Sequence, residues 1–113
     1  MVADKVKPGV MGYEMDLIAR EFIVNNGYEE YPHGLGHQVG RIAHDGGCGF
    51  FPLWERYGQV PYMKVEESQV YTIEPRLPIK DFGVATIEEE ILVTKDGCRF
   101  ISPPQKELYL IKS

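Results

Sequence analysis

Apolar residues recur at Met11, Met15, Ile18 and Phe22, with spacings of four, three and four that set them on one stripe of a helix. Charged Glu14, Arg20 and Glu21 are expected off that stripe. Pro8-Gly9 limits how early the helix can begin, and Gly27 suits the left-handed residue that ends helices. The pattern predicts a helix over about 11–26. The second half reads as strands: a β-rich run over 69–74 that stops at Pro75, and a second over 84–94. An Asp96-Gly97 turn and a short return strand over 98–101 follow. Residues 107–111 fit either a last strand or a helical turn. One helix and consecutive strands predict a single α+β domain over 1–113, with a largely antiparallel sheet.

Between the halves the periodicity fails. Residues 31–49 are glycine-rich and contain His33, His37 and His44, the three histidines of the chain. Glycine weakens helices and strands, so its density here implies special backbone angles or close backbone packing. Residues 50–63 read as an aromatic-rich loop. On a straight strand, the odd offset from His37 to His44 sends the two rings to opposite faces, so their convergence requires a bend.

Carboxylates break the strand pattern in two places. Glu74 shares a face with Val70 and Thr72 at the end of its run. Glu88-Glu89-Glu90 interrupts Ile, Leu and Val; alternation sends Glu88 and Glu90 to one face and Glu89 to the other, with Ile87, Ile91 and Val93. Capped strand ends and a solvated face account for these acids without chemistry. Together with the histidines, however, they offer nitrogen and carboxylate ligands suited to Zn²⁺, Mn²⁺ or Co²⁺. Such an ion lowers the pKa of a bound water to about 7, which points to metal-assisted hydrolysis.

Composition narrows the options. The chain has 113 residues, 43% hydrophobic and 26% charged, with a formal net charge of −5. Its 12 Lys and Arg are scattered, which argues against a nucleic-acid footprint. There is no apolar run long enough for a membrane span and no signal-peptide pattern at residues 1–7. Cys48 and Cys98 read as two reduced thiols in a cytoplasmic protein.

Lys7-Pro8-Gly9-Val10, His33-Gly-Leu-Gly-His37, His44-Asp45, Thr72-Ile73-Glu74-Pro75, Ile87-Glu88-Glu89 and Val93-Thr94-x-Asp96-Gly97 occur in one order. This set resembles the C-terminal half of the pita-bread metallopeptidases, nearest to the Xaa-Pro aminopeptidase and Xaa-Pro dipeptidase (prolidase) branch. The resemblance implies metal-dependent cleavage of Xaa-Pro peptide bonds. It implies that His37 and Glu74 ligate metal, that Glu88 bridges two ions, and that His44 contacts substrate and stabilises the tetrahedral intermediate. It implies that His33 contacts substrate as well, and the substrate's proline is expected against aromatic groups such as Tyr31 or Trp54.

The family's dinuclear site uses five protein ligands, two of them aspartates from the other half of the fold. Asp4, Asp16, Asp81 and Asp96 do not match those positions, so this chain's two carboxylates balance one dication rather than two. The arginine common two positions before the bridging glutamate is Thr86 here, and the usual glycine after Glu74-Pro75 is Arg76. Half a fold leaves a strand edge and an apolar face open, which predicts a homodimer or association with the missing half. A catalytically inactive binding module on the same fold is the alternative, and metal-free C–N cleavage of the creatinase type is a third reading.

Overall fold

The computed structural model describes residues 1–112. It contains one α-helix, α1 (Gly12–Asn25), then strands β1 (Gly36–Val39) and β2 (Gly49–Phe50). Two single 3₁₀ turns, Glu55–Tyr57 and Val60–Tyr62, lie within the expected aromatic loop. Strands β3 (Val70–Ile73), β4 (Arg76–Ile79), β5 (Gly83–Thr86), β6 (Glu89–Val93) and β7 (Cys98–Phe100) complete the order. Five strands form one antiparallel sheet in the order β2-β1-β3-β6-β7, and β4 and β5 form a separate two-stranded ribbon. This is the expected α+β architecture. No helix among the described residues is long and apolar enough to cross a membrane.

The helix ends where local chemistry stops it. The Glu14 carboxylate accepts the Met11 N–H at 2.7 Å, satisfying a donor at the helix start. Gly27, at φ +85°, turns the chain out of the helix. Gly27 N–H and Tyr28 N–H then donate to the carbonyls of Val24 and Ile23, capping the last turn. Met15 and Ala19 pack on a core of Val6, Leu35, Phe50, Val65, Tyr71, Ile91 and Val93, within which the Phe50 and Tyr71 rings stack at 4.5 Å.

Several expectations need correction. The buried face of α1 holds Asp16 and Arg20 beside Met15 and Ala19, whereas Phe22 is 53% exposed. Arg20 therefore does not lie off the packed face. Periodicity misplaces it because it cannot anticipate that Asp16, one turn earlier, pairs with it. The run over 84–94 is two strands, not one: the chain leaves the ribbon at Thr86, passes through Ile87 and Glu88, and enters the sheet at Glu89. Strand β3 does end before Pro75, as expected, but a further strand that the sequence reading did not include, β4, follows at Arg76. Pro78 is accommodated because its strand has only one partner, β5. Residues 107–111 form neither helix nor strand. Both cysteines are free, and burial pushes their thiols up.

Candidate metal centre

Pairing of β1 with β3 builds one side of the site. Gln38 lies opposite Tyr71 and Val39 opposite Val70, which draws His37 alongside Thr72. The approach is close: a Cβ on Gly36 would sit 1.9 Å from the Thr72 carbonyl oxygen, so only glycine fits there. The His37 N–H donates to Thr72 Oγ1 at 2.9 Å, and that hydroxyl donates to Glu74 Oε1 at 3.0 Å. The Glu74 N–H donates to the Leu35 carbonyl at 2.7 Å. Two strands and one buried hydroxyl thus fix His37 against Glu74. Glu88 arrives separately, one residue before β6, the neighbour of β3.

His37, Glu74 and Glu88 each offer one ligand atom, and these atoms lie within 4.8 Å of one another. His37 Nδ1 is 3.1 Å from the Gln38 carbonyl, an acceptor, so Nδ1 carries a proton. In the neutral ring that leaves the Nε2 lone pair facing Glu74 Oε1 at 3.2 Å. Two acceptors facing each other are favourable only with a second ring proton or a cation between them. A carbonyl on the far nitrogen of a ligating histidine is also the usual arrangement at metal sites. One nitrogen and two carboxylates suit a divalent ion in charge and donor type. Among the described residues no aspartate joins the cluster: Asp16 pairs with Arg20, Asp45 with Arg41 and Asp4 with the N-terminus.

The other two histidines border the same space. The expected bend between His37 and His44 is present. Asp45 N–H donates to the Gln38 carbonyl, and the Asp45 carboxylate accepts the N–H groups of Arg41 and Gly46. The His44 ring then lies over His37, with centroids 4.0 Å apart and planes tilted by 34°. His33 Nδ1 is 2.7 Å from the Gly34 carbonyl. A cleft of about 300 Å³ is lined by His33, His37, His44, Phe51, Tyr57 and Glu74. A second, of about 390 Å³, shares His33 and Glu74 and continues to Arg76, Thr86 and Glu88. Glu89 faces away from it, into an apolar groove with Ile73 and Phe100, as strand alternation requires.

The aromatic expectation shifts. Tyr31 is fully buried and offers no surface to a ligand. The guanidinium groups of Arg20 and Arg56 pack on the Trp54 ring at 4.8 and 4.7 Å. Phe51 and Tyr57, stacked at 4.5 Å, face the histidines instead.

Sequence reasoning also missed a buried clamp behind the site. Arg20 donates through Nε and Nη2 to the two Asp16 oxygens at 2.7 and 2.9 Å. Nη1 reaches the Tyr31 carbonyl at 2.8 Å and Glu30 at 3.2 Å, and Nη2 the His33 carbonyl at 2.6 Å. These contacts use all five guanidinium N–H donors. Asp16 Oδ1 accepts the Leu35 N–H at 2.9 Å. Burial pushes the Asp16 carboxyl up, against the downward pull of Arg20 and that N–H. The clamp fastens the His33 segment to α1. Its sequence signal is an Asp–Arg pair at i, i+4 on a helix, which is indistinguishable from a surface ion pair.

Known proteins resemble this chain in sequence and fold. Residues 1–95 match the sequence profile of metallopeptidase family M24. An Xaa-Pro dipeptidase of Pyrococcus horikoshii is 38% identical over 106 residues, covering 93% of this chain and 28% of that protein. The prolidase structure from Pyrococcus horikoshii OT3 aligns with 96% of this chain and 29% of its own at 37% identity, with a TM-score of 0.76. An Xaa-Pro dipeptidase from Bacillus anthracis aligns with 97% of this chain and 29% of its own at 30% identity, with a TM-score of 0.81. The chain thus spans less than a third of the length of these relatives and corresponds to an α+β portion of the pita-bread fold. On the profile match, the sequence identity and the shared fold, the chain belongs to metallopeptidase family M24.

Proposed function

We propose that this chain forms part of the catalytic site of a metal-dependent peptidase that hydrolyses the bond before proline in small Xaa-Pro peptides. The convergence of His37, Glu74 and Glu88 carries the reading. These three side chains would hold a divalent ion, Mn²⁺, Co²⁺ or Zn²⁺. When bound, such an ion polarises the scissile carbonyl and supplies a water acidic enough to react near neutral pH. His44, packed over His37, would hydrogen-bond the carbonyl oxygen as it gains charge. His33, which lines both clefts, would contact the peptide. Phe51 and Tyr57 give an apolar wall for a proline ring.

Two carboxylates balance one dication. The full site of two ions requires further acidic ligands, which we assign to the other half of the fold, carried by another segment or by a partner chain. A groove of about 510 Å³, lined by Met1, Ala19, Phe22, Leu35, Ile73 and Phe100, leaves the core open between α1 and the sheet and suits that segment. Two free thiols fit a reducing compartment, and we place the protein in the cytoplasm.

Equilibrium dialysis against Mn²⁺ tests the reading. His37→Ala should abolish uptake, whereas His44→Ala should spare uptake and slow hydrolysis of Ala-Pro. Unchanged uptake by His37→Ala would sink the site assignment. A second reading is a binding module on the same fold that takes up metal without catalysis. Mn²⁺ uptake followed by no Ala-Pro hydrolysis, with the further acidic ligands supplied, would select it.

A further inference from the structure

Glu88 lies outside both neighbouring strands, so the chain on either side of it must fix where its carboxylate stands. On one flank of β6, β3 pairs as far as the first residue, with Ile73 opposite Glu89. On the other flank β7 stops short: its last pair is Phe100 with Ile91. The chain that leaves β7 takes over from there. The Ile101 N–H donates to the Glu90 carbonyl at 3.0 Å, which extends the ladder by one bond. Pro103 and Pro104 have no N–H and cannot continue it. The first backbone donor after them, the Gln105 N–H, reaches the Glu89 carboxylate at 2.7 Å, a charge-assisted bond. Residues 105–108 then line a cleft of about 240 Å³ together with Thr86 and Ile87. This segment therefore borders the chain on both sides of Glu88, at residues 86 and 87 before it and at 89 and 90 after it.

We propose that residues 101–108 form a strap that positions Glu88, fastened by the bond between the Glu89 carboxylate and the Gln105 backbone amide. The inference rests on the reading of Glu88 as a metal ligand and adds positioning residues to that site. Glu89 takes no part in ligation: alternation turns its carboxylate away from the histidines and into the apolar groove, where the strap holds it. A half-buried carboxylate beside apolar side chains needs a donor, and the Gln105 N–H supplies one. Glu88 and Glu89 are joined by one planar peptide unit and face opposite ways. Fixing one carboxylate behind the strand therefore limits how far the other can swing in front of it. The two prolines restrict the strap's backbone, so ordering the Gln105 amide costs little entropy. An exposed ligand with no strand pairing of its own thus gains the kind of support that His37 and Glu74 receive from Thr72.

The test is equilibrium dialysis of the full chain against Mn²⁺. Gln105→Pro removes the N–H and should weaken Mn²⁺ binding about 10-fold. Gln105→Ala keeps the N–H and should stay within about twofold of the native chain. Glu89→Leu should match the loss in Gln105→Pro, and Glu89→Gln should recover most of it by keeping an acceptor oxygen. The losses from Glu89→Leu and Gln105→Pro should not add in the double variant, since both remove the same bond. A Glu88→Gln background separates positioning from general support of the fold. With that ligand already impaired, Gln105→Pro should cost less than about twofold more in Mn²⁺ affinity. Native-level binding by Gln105→Pro and Glu89→Leu, or an undiminished loss from Gln105→Pro in the Glu88→Gln background, overturns the proposal and leaves the metal reading standing. Failure of the native chain to take up Mn²⁺ overturns that reading and the proposal with it.

Discussion

The five-stranded sheet and the β4–β5 ribbon meet at the candidate centre, and they hold it in opposite ways. On the sheet side, His37 and Glu74 are half-buried and joined through the Thr72 hydroxyl, with α1 and the Asp16–Arg20 clamp packed behind. On the ribbon side, all four residues of β5 are exposed, and Phe82 at the turn is 91% exposed. Glu88 lies where the chain passes from ribbon to sheet and is itself exposed. A two-stranded ribbon is marginal in water, whereas a sheet of five strands with a packed face is not. The sheet side therefore pre-forms His37 and Glu74, and Glu88, the third proposed ligand, sits at the exposed junction with the ribbon. Under the proposed function, a rigid part of the metal site faces an exposed and adjustable part.

Substitutions can break this contrast or sharpen it. The largest effect is expected for Asp16→Ala, which leaves the Arg20 guanidinium buried without its carboxylate. Urea denaturation should report a loss of about 3–5 kcal/mol. Gly36→Ala should follow, at about 3 kcal/mol by the same measurement, because backbone and not a movable side chain meets the new Cβ. Thr72→Val removes the bridge between His37 and Glu74. It should cost about 1–3 kcal/mol of stability. In dialysis it should weaken Mn²⁺ binding about 10-fold, and Thr72→Ser should recover most of that. On the ribbon, Gly83→Ala meets no atom within 4 Å but holds alanine at φ +120°, so a loss of about 1 kcal/mol is expected. Phe82→Ser should change the unfolding midpoint by no more than about 0.5 kcal/mol equivalent. A ribbon substitution that destabilises as strongly as Gly36→Ala would erase the distinction between the two regions.

What the sequence made legible followed from local chemistry. Gly27 marked the end of α1, Asp96-Gly97 the turn before β7, and the opposite facing of Glu88 and Glu89 followed from strand alternation. The pairing of His37 with Glu74 was legible only through the order of the motifs, since nothing in the spacing of residues 37 and 74 says that β1 lies beside β3. The misplaced features share one cause. Arg20 looked like a surface residue because burial of a guanidinium depends on acceptors from Asp16, Tyr31 and His33, which only the folded chain assembles. Tyr31 looked available to substrate because its burial under that same guanidinium, 4.2 Å from its ring, depends on a segment eleven residues earlier. The run over 84–94 looked continuous because β propensity does not register a change of partner from β4 to β3.

By itself the sequence determined which residue types were present to ligate a cation, the order in which they occur, and where the helix and strands β3, β6 and β7 form. Those properties depend on neighbours within a few positions. The tertiary structure alone decided which of those residues meet and which cation is buried as structure. Such outcomes depend on strand register and desolvation between segments distant in the chain, and no local pattern encodes them.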